Sequence, residues 1–146
     1  MARGRKRAAL LAIVALALLL LVSAAQVLAD AMPAPCKRPA QAFARTDLFF
    51  GRARPGGVVT EAQFQAFVDA EVAPRFPDGL TLLAGMGQFR DTAGATVVEG
   101  ANVLILLYPL RDAHADRKID AIRSDYRQRF EQQSVLRADS VSCVSF

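Results

Sequence analysis

The chain has 146 residues, a formal charge of +4, 53% hydrophobic side chains, two cysteines and one histidine. Four of its 18 basic residues, Arg3, Arg5, Lys6 and Arg7, stand at the extreme N-terminus; without them 14 Lys and Arg meet 14 Asp and Glu. The remainder is close to neutral, which excludes the basic footprint that a nucleic-acid-binding domain requires.

Those four charges precede an apolar run from Ala8 to Val22 and the small residues Ser23-Ala24-Ala25 and Val27-Leu28-Ala29. A positive end, an apolar centre and small residues before a cut define a secretory signal peptide, expected over residues 1–29 with cleavage after Ala29. The apolar run, extended through Ala25, also reaches the minimum for a membrane span. Retention as an inner-membrane anchor is the alternative to release into the periplasm or medium. Contact with a membrane is expected only through this segment. Cys36 lies well beyond the apolar run, after Met32-Pro33-Ala34-Pro35, so lipid anchoring is not expected.

In an oxidising compartment Cys36 and Cys143 are expected to form a disulfide, closing a loop of about 100 residues and contributing ~4 to 5 kcal/mol in the chain-entropy model. A redox pair, the alternative, ordinarily has close CxxC spacing.

Residues 30–44, with Pro33, Pro35 and Pro39, show no helical or strand period and read as an extended tether to a single domain over residues 45–146. Residues 46–51, TDLFFG, read as a first strand and residues 52–58, around Pro55-Gly56-Gly57, as a turn. Thr60 then fits a helix N-cap. Gln63 supplies the capping-box partner, and Val59 and Phe64 occupy the hydrophobic-staple positions. Phe64, Phe67, Val68 and Val72 continue at helical spacing until Pro74 and Pro77-Asp78-Gly79 end the helix.

Residues 80–90 read as a second strand, 91–95 as a hairpin loop and 96–108 as a third strand with an irregularity at Gly100. Val103-Leu104-Ile105-Leu106-Leu107 is apolar on both alternations, the mark of a central strand. Pro109 and Asp112 open a second helix in which Ala115, Ile119, Ile122, Tyr126 and Phe130 form one stripe, with Asp116, Asp120, Arg123 and Arg127 facing out. Residues 134–146 supply the last strand. The order βαββαβ predicts an α+β, ferredoxin-like sandwich: a four-stranded antiparallel sheet with two helices on one face.

Two helices cover only one face of such a sheet, yet the first and third strands carry apolar residues on both. The second face therefore calls for a cover. A homodimer packed sheet to sheet is the simplest; the N-terminal tether or strand twist is the alternative.

With TDLFFG, RFPDGLT, GQFRD, VLILLYP and SVLR...CVSF in this order, the chain resembles the uncharacterised bacterial family catalogued as domain-of-unknown-function family 3574, over residues 45–146. That family is associated with a TELYFG-type motif, from which Asp47 and Phe49 depart. The resemblance implies an exported single-domain protein and brings neither an activity nor catalytic residues.

Candidate chemistry is sparse. The segment around Pro55-Gly56-Gly57 lacks the lysine of a phosphate-binding loop, which leaves Arg52 and Arg54 before a helix N-terminus as a weak small-anion site. Gly85-Met86-Gly87 lacks the third glycine of a dinucleotide fingerprint; its glycines free one side of a strand for close helix packing or for a ligand. Gln88 and Arg90 project on the other side and, with Tyr108, are the polar groups expected around any small-molecule pocket. Tyr126, Arg129 and Arg137 are further rim positions, read chiefly as ordinary amphipathic residues. His114 stands two residues from both Asp112 and Asp116, the wrong spacing for a shared ligand face, so those carboxylates read as helix-start residues. No metal, cofactor or catalytic constellation is expected.

Function is thus expected to be that of an exported binding or interaction module that dimerises through its open sheet face. A small-molecule enzyme or ligand binder of the dimeric α+β barrel type is the alternative. A pocket around Gln88, Arg90 and Tyr108 would favour the second; a solid core with an apolar outer patch would favour the first.

Overall fold

The computed structural model describes residues 36–90 and 94–146. The expected leader, the first part of the tether and residues 91–93 of the hairpin loop lie outside the described residues. Four strands form one antiparallel sheet: β1 (Gln41–Gly51), β4 (Thr81–Arg90), β5 (Thr96–Pro109) and β6 (Leu136–Val144), in the order β4-β5-β1-β6. A two-residue-wide ribbon, β2 (Ala53–Arg54) with β3 (Gly57–Val58), follows β1. Helix α1 (Glu61–Phe67) links the ribbon to β4, and α2 (Ala115–Phe130) links β5 to β6. This is the expected ferredoxin-like βαββαβ arrangement with an added ribbon.

Alternation along the strands separates two faces. Thr46, Leu48 and Phe50 of β1 and Asn102, Leu104 and Leu106 of β5 are buried on the face that meets the helices. The helices supply Phe64, Phe67, Val68, Val72, Ala115, Ile119, Ile122, Tyr126 and Phe130 to the same core. Five rings form its centre: Tyr126 lies 4.6 Å from Phe50, 5.1 Å from Phe67, 4.8 Å from Phe130 and 6.1 Å from Phe64, at steep angles that suit ring quadrupoles. Tyr126 is therefore a core residue, as its place in the helical stripe implied, and not one of a rim. Its hydroxyl donates to the Gly51 carbonyl at 2.9 Å, and burial pushes its phenol well above its ordinary pKa.

Helix α1 begins with the expected reciprocal cap. The Gln63 amide donates to Thr60 Oγ1 at 3.2 Å, and Gln63 Oε1 accepts from the Thr60 amide at 3.0 Å. The staple residues Val59 and Phe64 are both buried. After Phe67 the helix widens into a π turn, Val68–Val72, closed by Ala73 N–H to the Val68 carbonyl at 2.9 Å. Pro74, lacking an N–H, cannot extend an α-helical ladder, and the wider turn keeps Val68 and Val72 both buried.

Four differences from the expected layout have physical causes. Strand β1 starts at Gln41 within the expected tether, because β5 and β6 flank it and Ala42 pairs opposite the disulfide-bonded Cys143. Strand β5 has no irregularity at Gly100: its register with β4 is continuous from Thr96 to Ile105. Gly100 instead marks where the sheet narrows, its carbonyl accepting from the Arg52 amide at 3.0 Å beyond the end of β1. Helix α2 opens at Ala115, since Pro109 still belongs to β5 and Asp112 closes a turn on it. Arg123 is not simply outward: it donates to the Val135 carbonyl at 3.1 Å from both Nε and Nη2.

The Cys36–Cys143 disulfide is present, with Cα atoms 5.5 Å apart. It fits an extracellular or periplasmic location. No helix among the described residues is long and apolar enough to cross a membrane.

Candidate functional site

The face of the sheet turned away from the helices is built from the other alternation. It carries Phe43, Arg45, Asp47 and Phe49 from β1, with Val103, Ile105 and Leu107 opposite them on β5. Leu136, Ala138 and Ser140 line it from β6, and Leu83, Gly85, Gly87 and Phe89 from β4. No helix lies on it among the described residues. Leu136 is 63% exposed and Leu83 52%, and Phe49, Phe89 and Leu107 are exposed as well. On the helix-facing alternation Met86, Val98 and Val141 are exposed too, towards the edges of the sheet.

One ion pair interrupts that surface. Arg45 Nε donates to Asp47 Oδ1 at 2.9 Å and Nη2 to Oδ2 at 3.1 Å, a two-pronged pair between neighbours on one side of β1. The hydrogen bond and charge of Asp47 raise the Arg45 pKa. Beneath it, on the helix-facing side, the buried Thr46 hydroxyl donates to Asp139 at 2.5 Å and meets the Tyr108 hydroxyl at 2.9 Å. Burial opposes the charge on Asp139, but Thr46 and Arg137 outweigh it and hold the carboxyl below its ordinary pKa. Burial likewise opposes the charge on Arg137, and its hydrogen bonds to Asp116 and Asp139 prevail, raising its pKa. Arg137 thereby ties β6 to α2, bonding Asp116 at 2.6 Å and Asp139 at 3.0 Å.

The expected ligand residues do not come together in one chain. Gln88 and Arg90 lie exposed at the outer end of the β4–β5 hairpin, on the helix-facing side. Tyr108 stands ten positions along β5 from Val98, the partner of Gln88, a separation of about 33 Å. Its hydroxyl meets Thr46, and its ring lies 5.8 Å from Phe76. Arg52 bonds the Val59 carbonyl at 2.8 Å and Glu61 at 3.3 Å, while Arg54 lies in the β2–β3 ribbon, half-buried. Gly85 and Gly87 lie on the uncovered face, so they do not serve helix packing in this chain. Gly51 does have a close-approach role: a Cβ there would stand 2.7 Å from Glu99 Oε1, whose carboxylate accepts from the Ala53 amide.

Two clefts of about 230 Å³ indent the surface, one along α2 beside Arg123, Arg127 and Ser134, the other beside Pro39, Phe43 and Phe146. Both fall below the size of ordinary small-molecule pockets, about 300 to 1,000 Å³. Neither contains Gln88, Arg90 or Tyr108. His114 pairs with Arg117 at 2.6 Å, while Asp112 caps the His114 amide and pairs with Lys118. These two contacts hold the Asp112 carboxyl below its ordinary pKa. Among the described residues no group of three or more His, Cys, Asp or Glu is placed to hold a metal ion.

The sequence profile of a family described as "Protein of unknown function (DUF3574)" matches residues 45–146. The chain belongs to this family. The match spans β1 from its fifth residue through β6, and so includes both faces of the sheet. No curated protein matches the sequence. Two solved structures share the fold of this DUF3574 member. A phage SAM lyase in complex with S-methyl-5'-thioadenosine has a TM-score of 0.54 and 17% identity, over 71% of this chain and 90% of that one. A phage SAM lyase in its apo state has a TM-score of 0.55 and 18% identity, over 75% and 94%. At such identity the likeness concerns the fold alone.

The Arg45–Asp47 pair was not singled out from the sequence, although a signal existed. Opposite charges two apart in a strand share a face, and the expected first strand began one residue too late to include both.

Proposed function

We propose that this DUF3574 member is an exported interaction module whose uncovered sheet face packs against the same face of a second copy. The observation that carries this reading is the contrast, among the described residues, between a ring-filled core on one side of the sheet and an apolar surface without a helix cover on the other. Nine paired positions of β1 with β5, at about 3.4 Å each and across four strands about 4.8 Å apart, outline a face of about 600 Å². Two such faces bury about 1,200 Å², the lower end of the range for a stable specific interface. The disulfide and the leader-like residues 1–29 support delivery to the periplasm or beyond.

Native mass spectrometry of the full chain, exported to a bacterial periplasm and gently released, tests the proposal. The expected species is a dimer that lacks residues 1–29 and carries no added mass. A monomer at micromolar concentration contradicts the dimer, and an intact leader contradicts release. Retained small-molecule mass, or a thermal shift with S-methyl-5'-thioadenosine, would favour the ligand-binding alternative.

A further inference from the structure

Glu99, at the far end of the uncovered face, is engaged by the Ala53 amide, whereas one Arg–Asp pair on that face stands where an assembly would make most use of it. Arg45 and Asp47 flank residue 46, the midpoint of β1, and β1 is one of the two central strands. Apolar or small side chains surround the pair: Leu107 and Ser140 are opposite Arg45, and Ile105 and Ala138 are opposite Asp47. A second copy covering this face would remove both charges from water, and the Arg45 and Asp47 side chains now keep 37% and 23% exposure. Their mutual bond leaves capacity unused. A guanidinium has five N–H donors and a carboxylate about four acceptor sites. The pair engages Arg45 Nε and Nη2 with one bond to each Asp47 oxygen, and neither side chain makes another hydrogen bond among the described residues. Burial without further partners would be costly, whereas burial against groups that complete both sets would not.

An isologous two-fold interface supplies those groups, because residue i of one copy meets residue j of the other and the converse holds as well. We infer that Arg45 of each copy pairs with Asp47 of the other, forming a closed ring of four alternating charges at the centre of the dimer and fixing how the two sheets align. The inference rests on the sheet-to-sheet dimer proposed above. It assigns the partner as an identical copy in one register, since a surface that offers one Arg and one Asp side by side is complementary to itself under two-fold rotation. The apolar residues around the ring supply the contact area, and the ring rejects displaced or foreign apolar faces by leaving charges unpaired.

The decisive experiment uses the double variant Arg45→Asp/Asp47→Arg of the full chain, which keeps the in-chain pair with its polarity reversed. Far-ultraviolet circular dichroism first confirms that it is folded. Isotope-labelled wild type is then mixed with the variant, and subunit exchange is followed to equilibrium by native mass spectrometry. Each protein alone is expected to be dimeric. In a mixed dimer the ring would bring like charges together, so the mixed species is expected at least about tenfold below its statistical share. Mixed dimers at the statistical share, or a folded but monomeric double variant, would overturn the cross-pairing while leaving the sheet-to-sheet dimer standing. A monomeric wild type would instead overturn the dimer itself, and the ring with it.

Discussion

The two faces of the sheet use similar residues for different ends. On the helix-facing side Leu48 and Phe50 of β1 are completely buried within their own chain, in a core closed by five aromatic rings. On the other side, one residue away along the same strand, Phe49 and its neighbours Leu83, Leu107 and Leu136 remain exposed. The hydrophobicity of β1 and β5 does not distinguish the faces; the cover does. The first face is packed by the helices over its centre, with Met86, Val98 and Val141 left exposed beyond them, whereas the second carries no helix among the described residues and is the face proposed to meet a partner.

That division can be broken most strongly from the covered side. Phe50→Ala removes the ring that contacts Tyr126, Phe64 and Phe67 and is expected to cost about 3 to 5 kcal/mol in equilibrium denaturation. Removing the disulfide with Cys36→Ala/Cys143→Ala is expected to cost about 2 to 5 kcal/mol in the same measurement. The loss should leave the character of both faces unchanged, because the bond lies at the end of β1 and β6. Thr60→Ala breaks the reciprocal cap of α1 on the covered side, with an expected loss of about 0.5 to 2 kcal/mol. Leu136→Asp on the open face should change the monomer's stability by no more than about 0.5 kcal/mol while abolishing association.

Acid sharpens the same contrast gently. Asp112 and Glu71 have lowered pKa values in the folded protein, Asp112 through the His114 amide and Lys118, Glu71 through Arg75. A depressed carboxyl pKa contributes stability above the unfolded value, about 3.9 for Asp and 4.3 for Glu, and that contribution is lost as pH falls through the folded value. Denaturation midpoints are therefore expected to show no loss from these groups between about pH 7 and 5, and a decline from them below about pH 4.

Features set by short-range patterns were legible in the sequence. The α2 stripe was readable residue by residue, because Ala115, Ile119, Ile122, Tyr126 and Phe130 recur at helical spacing and all are buried. The α1 cap was readable from Thr60 and Gln63 alone, and the apolar run 103–107 placed β5 among the central strands. Features set by distant partners were not legible. Residues 41–44 look like a tether until β5 and β6 pair with them, and the role of Gly100 depends on where β1 stops. Tyr108 looks available for a ligand until its bond to Thr46 is seen. That the two helices would share one side of the sheet was foreseen, since two helices suffice for one side of four strands.

Sedimentation velocity over a dilution series, comparing wild type with Leu136→Asp, tests the central contrast most directly. The account predicts a wild-type dimer that dissociates on dilution and a folded variant that stays monomeric throughout. A wild type that is monomeric at all concentrations, or a variant that dimerises as the wild type does, would contradict it.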